Sequence, residues 1–203
     1  WFACDKHVVY SGYTNDAEVP PPGRVGDALH VCLSGSVYRE DLLATLIEGL
    51  KIAASSRSVS LSYAGNDGVL VGRYSNRRNS NFDLDNLGYL EASALCALQR
   101  SADVNVYIRN AESLFQQKVI ELLAAGKPIL SVPDESTEAI KIAGHTGGRL
   151  QTAGTPAAIA EVISGLHRPP GAAGKPNGVQ AYTWLAQAKK LRRVLADAAG
   201  VPE

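Results

Sequence analysis

Methionine is absent from the sequence, even at its start, where Trp1 stands. The expectation is a fragment, or a chain some of whose residues are not in the sequence. A signal-peptide pattern is missing too, so processing is the weaker explanation. Cysteine is scarce: Cys4, Cys32 and Cys96 are odd in number and form no CxxC or Cys/His spacing. That argues against a disulfide framework and suits reduced thiols in a cytoplasmic protein. Charge of one sign is not in excess, with 20 basic against 20 acidic residues, and the 4 histidines are scattered. No field for a polyanion is implied, and nucleic acid is not an expected partner. Long apolar runs are missing as well, since even residues 119–125 carry a charge. A membrane span is excluded on length, and a soluble chain is expected.

What is present is a regular alternation of apolar runs with helical segments from about residue 29 onward. Such alternation is the signature of βαβ units, so the expected fold is α/β, a Rossmann-like three-layer domain with a parallel sheet. Strands are expected at 29–33, 59–63, 82–90, 104–108, 128–132 and 149–152. Helices are expected at 40–54, 91–100, 114–125, 137–143, 157–166 and 181–199, with a short one conceivable at 68–72. Leu42, Leu43, Leu46, Ile47 and Leu50 form the buried stripe of the first helix. Thr155 and Pro156 supply an N-cap and first-turn start. Three segments read as connections: the proline-rich 19–26, the basic and polar 73–81, and 167–178 with its Pro and Gly. The expected organisation is therefore a linker or remnant at 1–26, of which 1–19 hang outside the core, a domain at 27–168, and a crossover loop with a terminal helix at 169–203.

The most informative stretch is 114–131, LFQQKVIELLAAGKPILS. Val119, Leu122 and Leu123 share one helical face, whereas Gln117, Lys118 and Glu121 share another. Gly126 fits a left-handed stop, and Pro128 cannot continue the helix.

Four segments in order, LSGSVYREDLLATLIEGL (33–50), DNLGYLEASALCALQRSADVNVYI (85–108), QQKVIELLAAGKPIL (116–130) and YTWLAQAKKLRRVL (182–195), resemble the C-terminal domain of a retaining GT-B glycosyltransferase. The group is that of glycogen synthases and bacterial mannosyl- and glucosyltransferases, and the likeness spans roughly 25–200. It implies a domain that binds a UDP-, GDP- or similar sugar as substrate, with no cofactor and no metal, within bacterial polysaccharide or glycoconjugate biosynthesis. It further implies an acceptor-binding N-terminal half that this chain lacks, so the isolated domain would bind nucleotide without turnover. Peripheral membrane contact by a full-length enzyme stays open. In the family the terminal helix crosses back to that other half.

By the same resemblance, Glu121 accepts the ribose hydroxyls, a task suited to an ionised carboxylate facing a cis-diol. Its loss would cost about 1.5–3 kcal/mol of nucleotide affinity, roughly tenfold to a hundredfold. An exposed Lys118–Glu121 helix pair would instead contribute only about 0.2–0.5 kcal/mol. Many relatives carry a second glutamate eight residues before the ribose one, where this chain has Ser113, with Glu112 one residue off. Glu112, Ser113 and Leu114 are expected at a helix start whose N–H groups could meet sugar or phosphate. Gly35 and Ser36 form the turn that admits the pyrophosphate, or an ordinary strand-to-helix turn. Arg39 would stabilise the leaving diphosphate, with Lys118 or Arg73 as a second cation. Tyr89 and Leu90 fall where the base is held, although packing alone could explain them. Asp83-Leu84-Asp85 imitates a metal motif of a different glycosyltransferase fold, and His145 is expected at a helix end rather than as a base. Two rival functions stay in view: a sugar-nucleotide epimerase of the same architecture, and a non-catalytic nucleotide-sugar module.

Overall fold

The computed structural model describes residues 7–13, 27–75, 81–166 and 178–200. Six strands pair in parallel in the order β3-β2-β1-β4-β5-β6. They are β1 Leu29–Ser34, β2 Val59–Ala64, β3 Phe82–Asn86, β4 Val104–Ile108, β5 Ile129–Val132 and β6 Leu150–Thr152. The α/β Rossmann-like class expected from the alternation is thus the observed one. β1, β2 and β4 are buried nearly throughout because both faces of the sheet are covered by helices.

On one face, α1 Glu40–Ala53 and α6 Pro156–Ser164 close over Val31, Leu33, Leu61, Val106 and Leu130. Leu43, Leu46, Ile47 and Leu50 of the predicted stripe are all buried there. On the other face, α4 Lys118–Ala125 and α5 Thr137–Thr146 cover Tyr107 and Ile129. Two further helices, the short α2 Gly68–Gly72 and α3 Ala92–Ser101, follow β2 and β3. Thr155 caps α6 by accepting from the Ala158 N–H at 3.3 Å, with Pro156 in the first turn. Replacing Thr155 by alanine should lower stability by about 1 kcal/mol in a urea denaturation series.

Four expectations need correction. The 114–125 helix begins only at Lys118. Ahead of it, the Asn110 side chain accepts from the Glu112 N–H, the Ser113 hydroxyl donates to Phe115 O, and Gln116 Oε1 accepts from the Asn110 N–H. These local bonds satisfy the backbone without a helix. The strand at 82–90 stops at Asn86, whose side-chain oxygen receives the Gly88 N–H while Gly88 turns at φ 66°. The terminal helix divides into a 3-10 turn, Val179–Tyr182, and α7 Trp184–Ala199, because Thr183 is extended and caps α7 through Ala186 N.

Finally, residues 10–13 do not hang outside the core. Tyr13 is only 5% exposed and joins Val119, Ile120 and Val179. Its N–H donates to Tyr182 O and its carbonyl accepts from the Trp184 N–H, and Tyr10 packs against Phe115 and Tyr182. The linker 19–26, the loop residues 76–80, the crossover 167–177 and Cys4 lie outside the described residues.

Candidate functional site

Strand order reverses between β1 and β4, so the chain leaves the C-terminal ends of these neighbours in opposite directions and opens a crevice between them. The turn after β1 forms its floor. Gly35 adopts φ 90°. Its N–H donates to Ala64 O, and its carbonyl accepts from the Tyr63 hydroxyl at 3.0 Å. That hydroxyl in turn receives the Asp67 N–H at 2.9 Å, while the Asp67 carboxylate accepts from the Val37 N–H at 2.8 Å. A buried tyrosine and an aspartate thus fix the β1 turn against the β2 turn.

Lys118, the first residue of α4, reaches into this crevice and donates to Ser34 O at 2.5 Å. A Cβ on Gly35 would overlap its ammonium. Position 35 therefore needs glycine twice over, for the positive φ and for the approach of Lys118. Alanine there should lower stability by about 1 kcal/mol and displace the lysine, a change readable by thermal melting. No carboxylate forms a salt bridge with Lys118 among the described residues. Burial pushes its pKa below the ordinary 10.5, and the charge of Glu121, one turn along α4, opposes that only in part. A partly desolvated cation whose partner is a neutral carbonyl, beside a glycine turn, has the chemistry to accept an anion.

Two clefts flank Leu95. One, of about 130 Å³, is lined by Gly35, Ser36, Gly65, Tyr89, Leu90 and Lys118 among others. The second, of about 190 Å³, runs between α3 and α4 and includes Tyr13, Cys96, Gln99, Arg100 and Glu121. The structure thus brings together Gly35, Ser36, Tyr89, Leu90 and Lys118, with Glu121 in the adjoining cleft. Tyr89 stands out from the surface at 71% exposure.

Other expected residues lie elsewhere. Arg39 precedes α1, exposed and paired with Asp41, and lines neither cleft. Arg73 faces Glu40 at 3.6 Å, also exposed. Glu112, Ser113 and Leu114 do not form a helix start, as was expected of them; they belong to the preceding loop, where Leu114 is 92% exposed. The N–H groups of Val119 and Ile120, in the first turn of α4, are already taken by Gln116 O and Gln117 O. Asp83 and Asp85 point outward from edge strand β3. No cluster of His, Cys, Asp and Glu among the described residues is placed to hold a metal ion. His145 lies in the last turn of α5, which Gly147 closes. Cys32 is buried beneath the crevice, its thiol pushed up to about 12.

Sequence reasoning missed Leu95, Cys96 and Tyr13, and it placed Gln117 on the polar face with Lys118 and Glu121 without giving it a role. Only Gln117 left a local signal, its i, i+4 spacing from Glu121.

No family model and no curated protein matches the sequence. Solved structures do match in fold. HepE of Anabaena in complex with UDP-glucose superposes with a TM-score of 0.59 at 16% identity, over 84% of this chain and 49% of that one. A glycosyltransferase from Rickettsia africae gives 0.61 at 13% identity, over 85% and 48%. A Listeria monocytogenes protein provisionally assigned as a UDP-N-acetylglucosamine 2-epimerase gives 0.52 at 15% identity, over 87% and 47%. The chain spans about half the length of these proteins and shares with them a parallel α/β fold.

Proposed function

We propose that this domain binds the nucleotide-sugar donor of a GT-B glycosyltransferase, and that Lys118 is its diphosphate anchor. The observation that carries this reading is the half-buried ammonium of Lys118, held by a carbonyl and by no carboxylate among the described residues, against the Gly35 turn at the strand-order reversal. The diphosphate lies between Lys118 and the Gly35-Ser36 turn, where it replaces the carbonyl contact with charge-assisted bonds. The ribose passes Leu95 to reach Glu121, and Tyr89 with Leu90 offers backbone groups and an apolar surface to the base. The fold shared with a UDP-glucose complex supports a nucleotide sugar as the ligand class.

In the transferase, the developing charge on the departing diphosphate is met by Lys118, a cation held in place before reaction. A role for Arg39 there requires its release from Asp41. Transfer with retention, without a metal, is the chemistry that the family resemblance implies for such a site. The fold shared with the Listeria protein accommodates an epimerase equally well, because both chemistries begin from the same bound nucleotide sugar.

Calorimetric titration with UDP and GDP tests the reading. Saturable binding of a nucleoside diphosphate is expected, and no detectable binding at millimolar concentration overturns it. A pH series adds a signature. Lys118 holds a diphosphate only while protonated, and its free-state pKa is lowered. Affinity should therefore fall as pH rises through a value below 10.5. Affinity that stays level throughout that range contradicts the assignment.

A further inference from the structure

Gln117, immediately before α4, has a side-chain amide nitrogen that donates to Gly12 O at 3.1 Å and to Glu121 Oε1 at 3.3 Å. Both partners are acceptors, which settles the orientation of the amide: the nitrogen faces them, and its two hydrogens serve one each. The anchor at Gly12 is itself immobilised. A Cβ at position 12 would overlap the Trp184 backbone, and Tyr13 is tied on either side of Thr183 by the bonds to Tyr182 O and Trp184 N. Gln117 therefore connects a fixed carbonyl to one oxygen of Glu121 and leaves Oε2 of that carboxylate for a ligand.

We infer that Gln117 is a positioning residue for nucleotide recognition: it orients the Glu121 carboxylate toward the ribose diol, using the Gly12 carbonyl as its reference point. The inference rests on the reading of Glu121 as the ribose acceptor. An unrestrained glutamate must give up side-chain freedom on binding, whereas one held at Oε1 has already done so. The orientation also depends on the 10–13 strap and the start of α7, because both meet the Gln117 side chain at Gly12.

The test compares UDP with 2′,3′-dideoxy-UDP, which keeps the base and diphosphate but lacks the diol. Their affinity ratio isolates the Glu121 interaction from everything else that holds the nucleotide. Gln117→Met should reduce that ratio by about threefold to tenfold, with dideoxy-UDP affinity unchanged. Gln117→Glu, which sets a like charge beside Glu121, should reduce it further, and it stands in should the methionine variant fail to fold. In a Glu121→Gln background the ratio should fall close to one, with no further effect of Gln117→Met. A wild-type ratio in folded Gln117 variants, with Glu121→Gln still collapsing it, overturns the positioning role and spares the ribose assignment. A wild-type ratio in Glu121→Gln itself removes the ribose assignment, and the positioning role with it. An equal loss for both ligands marks a merely structural role and overturns the inference.

Discussion

Replacing Lys118 with methionine is expected to reduce UDP affinity roughly tenfold to a hundredfold, the effect of losing charge-assisted bonds worth about 1.5–3 kcal/mol. The fold should survive this change. In the unliganded protein the half-buried ammonium has given up part of its hydration for a carbonyl partner, Ser34 O, and burial disfavours its charge. Methionine fills a similar volume without that desolvation cost, so the melting temperature should hold or rise while affinity falls. Linkage supplies an independent check. Because the folded-state pKa is lowered, the unfolded chain binds the Lys118 proton more tightly. Wild-type stability therefore gains a contribution as pH rises from the lowered value toward 10.5, and the methionine variant lacks it. A variant that melts well below wild type and binds UDP as before would make Lys118 a structural residue.

Glu121→Gln should cost about 1.5–3 kcal/mol of UDP affinity and leave dideoxy-UDP nearly unaffected. The glutamine keeps the shape of the side chain but loses the ionised acceptor that suits a diol. It also removes the negative charge that partly offsets the lowering of the Lys118 pKa. Some of the loss should therefore appear as an earlier alkaline fall in affinity. The competing account, a helix pair with Lys118, predicts a change within a few tenths of a kcal/mol, about 0.2–0.5, and no selectivity for the diol. Isothermal titration with the two nucleotides separates them.

The architecture was legible because short segments rich in Leu, Val and Tyr, such as LHVCLS and VSLSYA, alternate with amphipathic helices. Gly126 was legible as a stop for the same local reason: it ends α4 at φ 74°. The start of α4 was not, since the apolar pattern extends back to Leu114 while the polar side chains of Asn110, Ser113 and Gln116 bind the backbone there. The site was legible in part. Gly35, Ser36, Tyr89, Leu90 and Lys118 come together because each lies at the C-terminal end of the sheet. That the lysine is buried against Ser34, 84 positions away, is a tertiary fact with no local trace. The same holds for Tyr10 and Tyr13. Proline-rich sequence after them suggested a boundary, yet their rings and backbone dock on α4, α5 and the start of α7. Arg39 shows the converse: its place near a glycine turn suggested a phosphate contact, but Asp41 two residues on engages it first.

The most direct measurement is a crystal structure of this chain with UDP. The account predicts the diphosphate against Lys118 Nζ and the Gly35-Ser36 turn, with the ribose hydroxyls on Glu121 and Gln117 still bonded to its other oxygen. UDP bound away from this crevice, or bound within it while Lys118 keeps Ser34 O as its sole partner, would contradict the account.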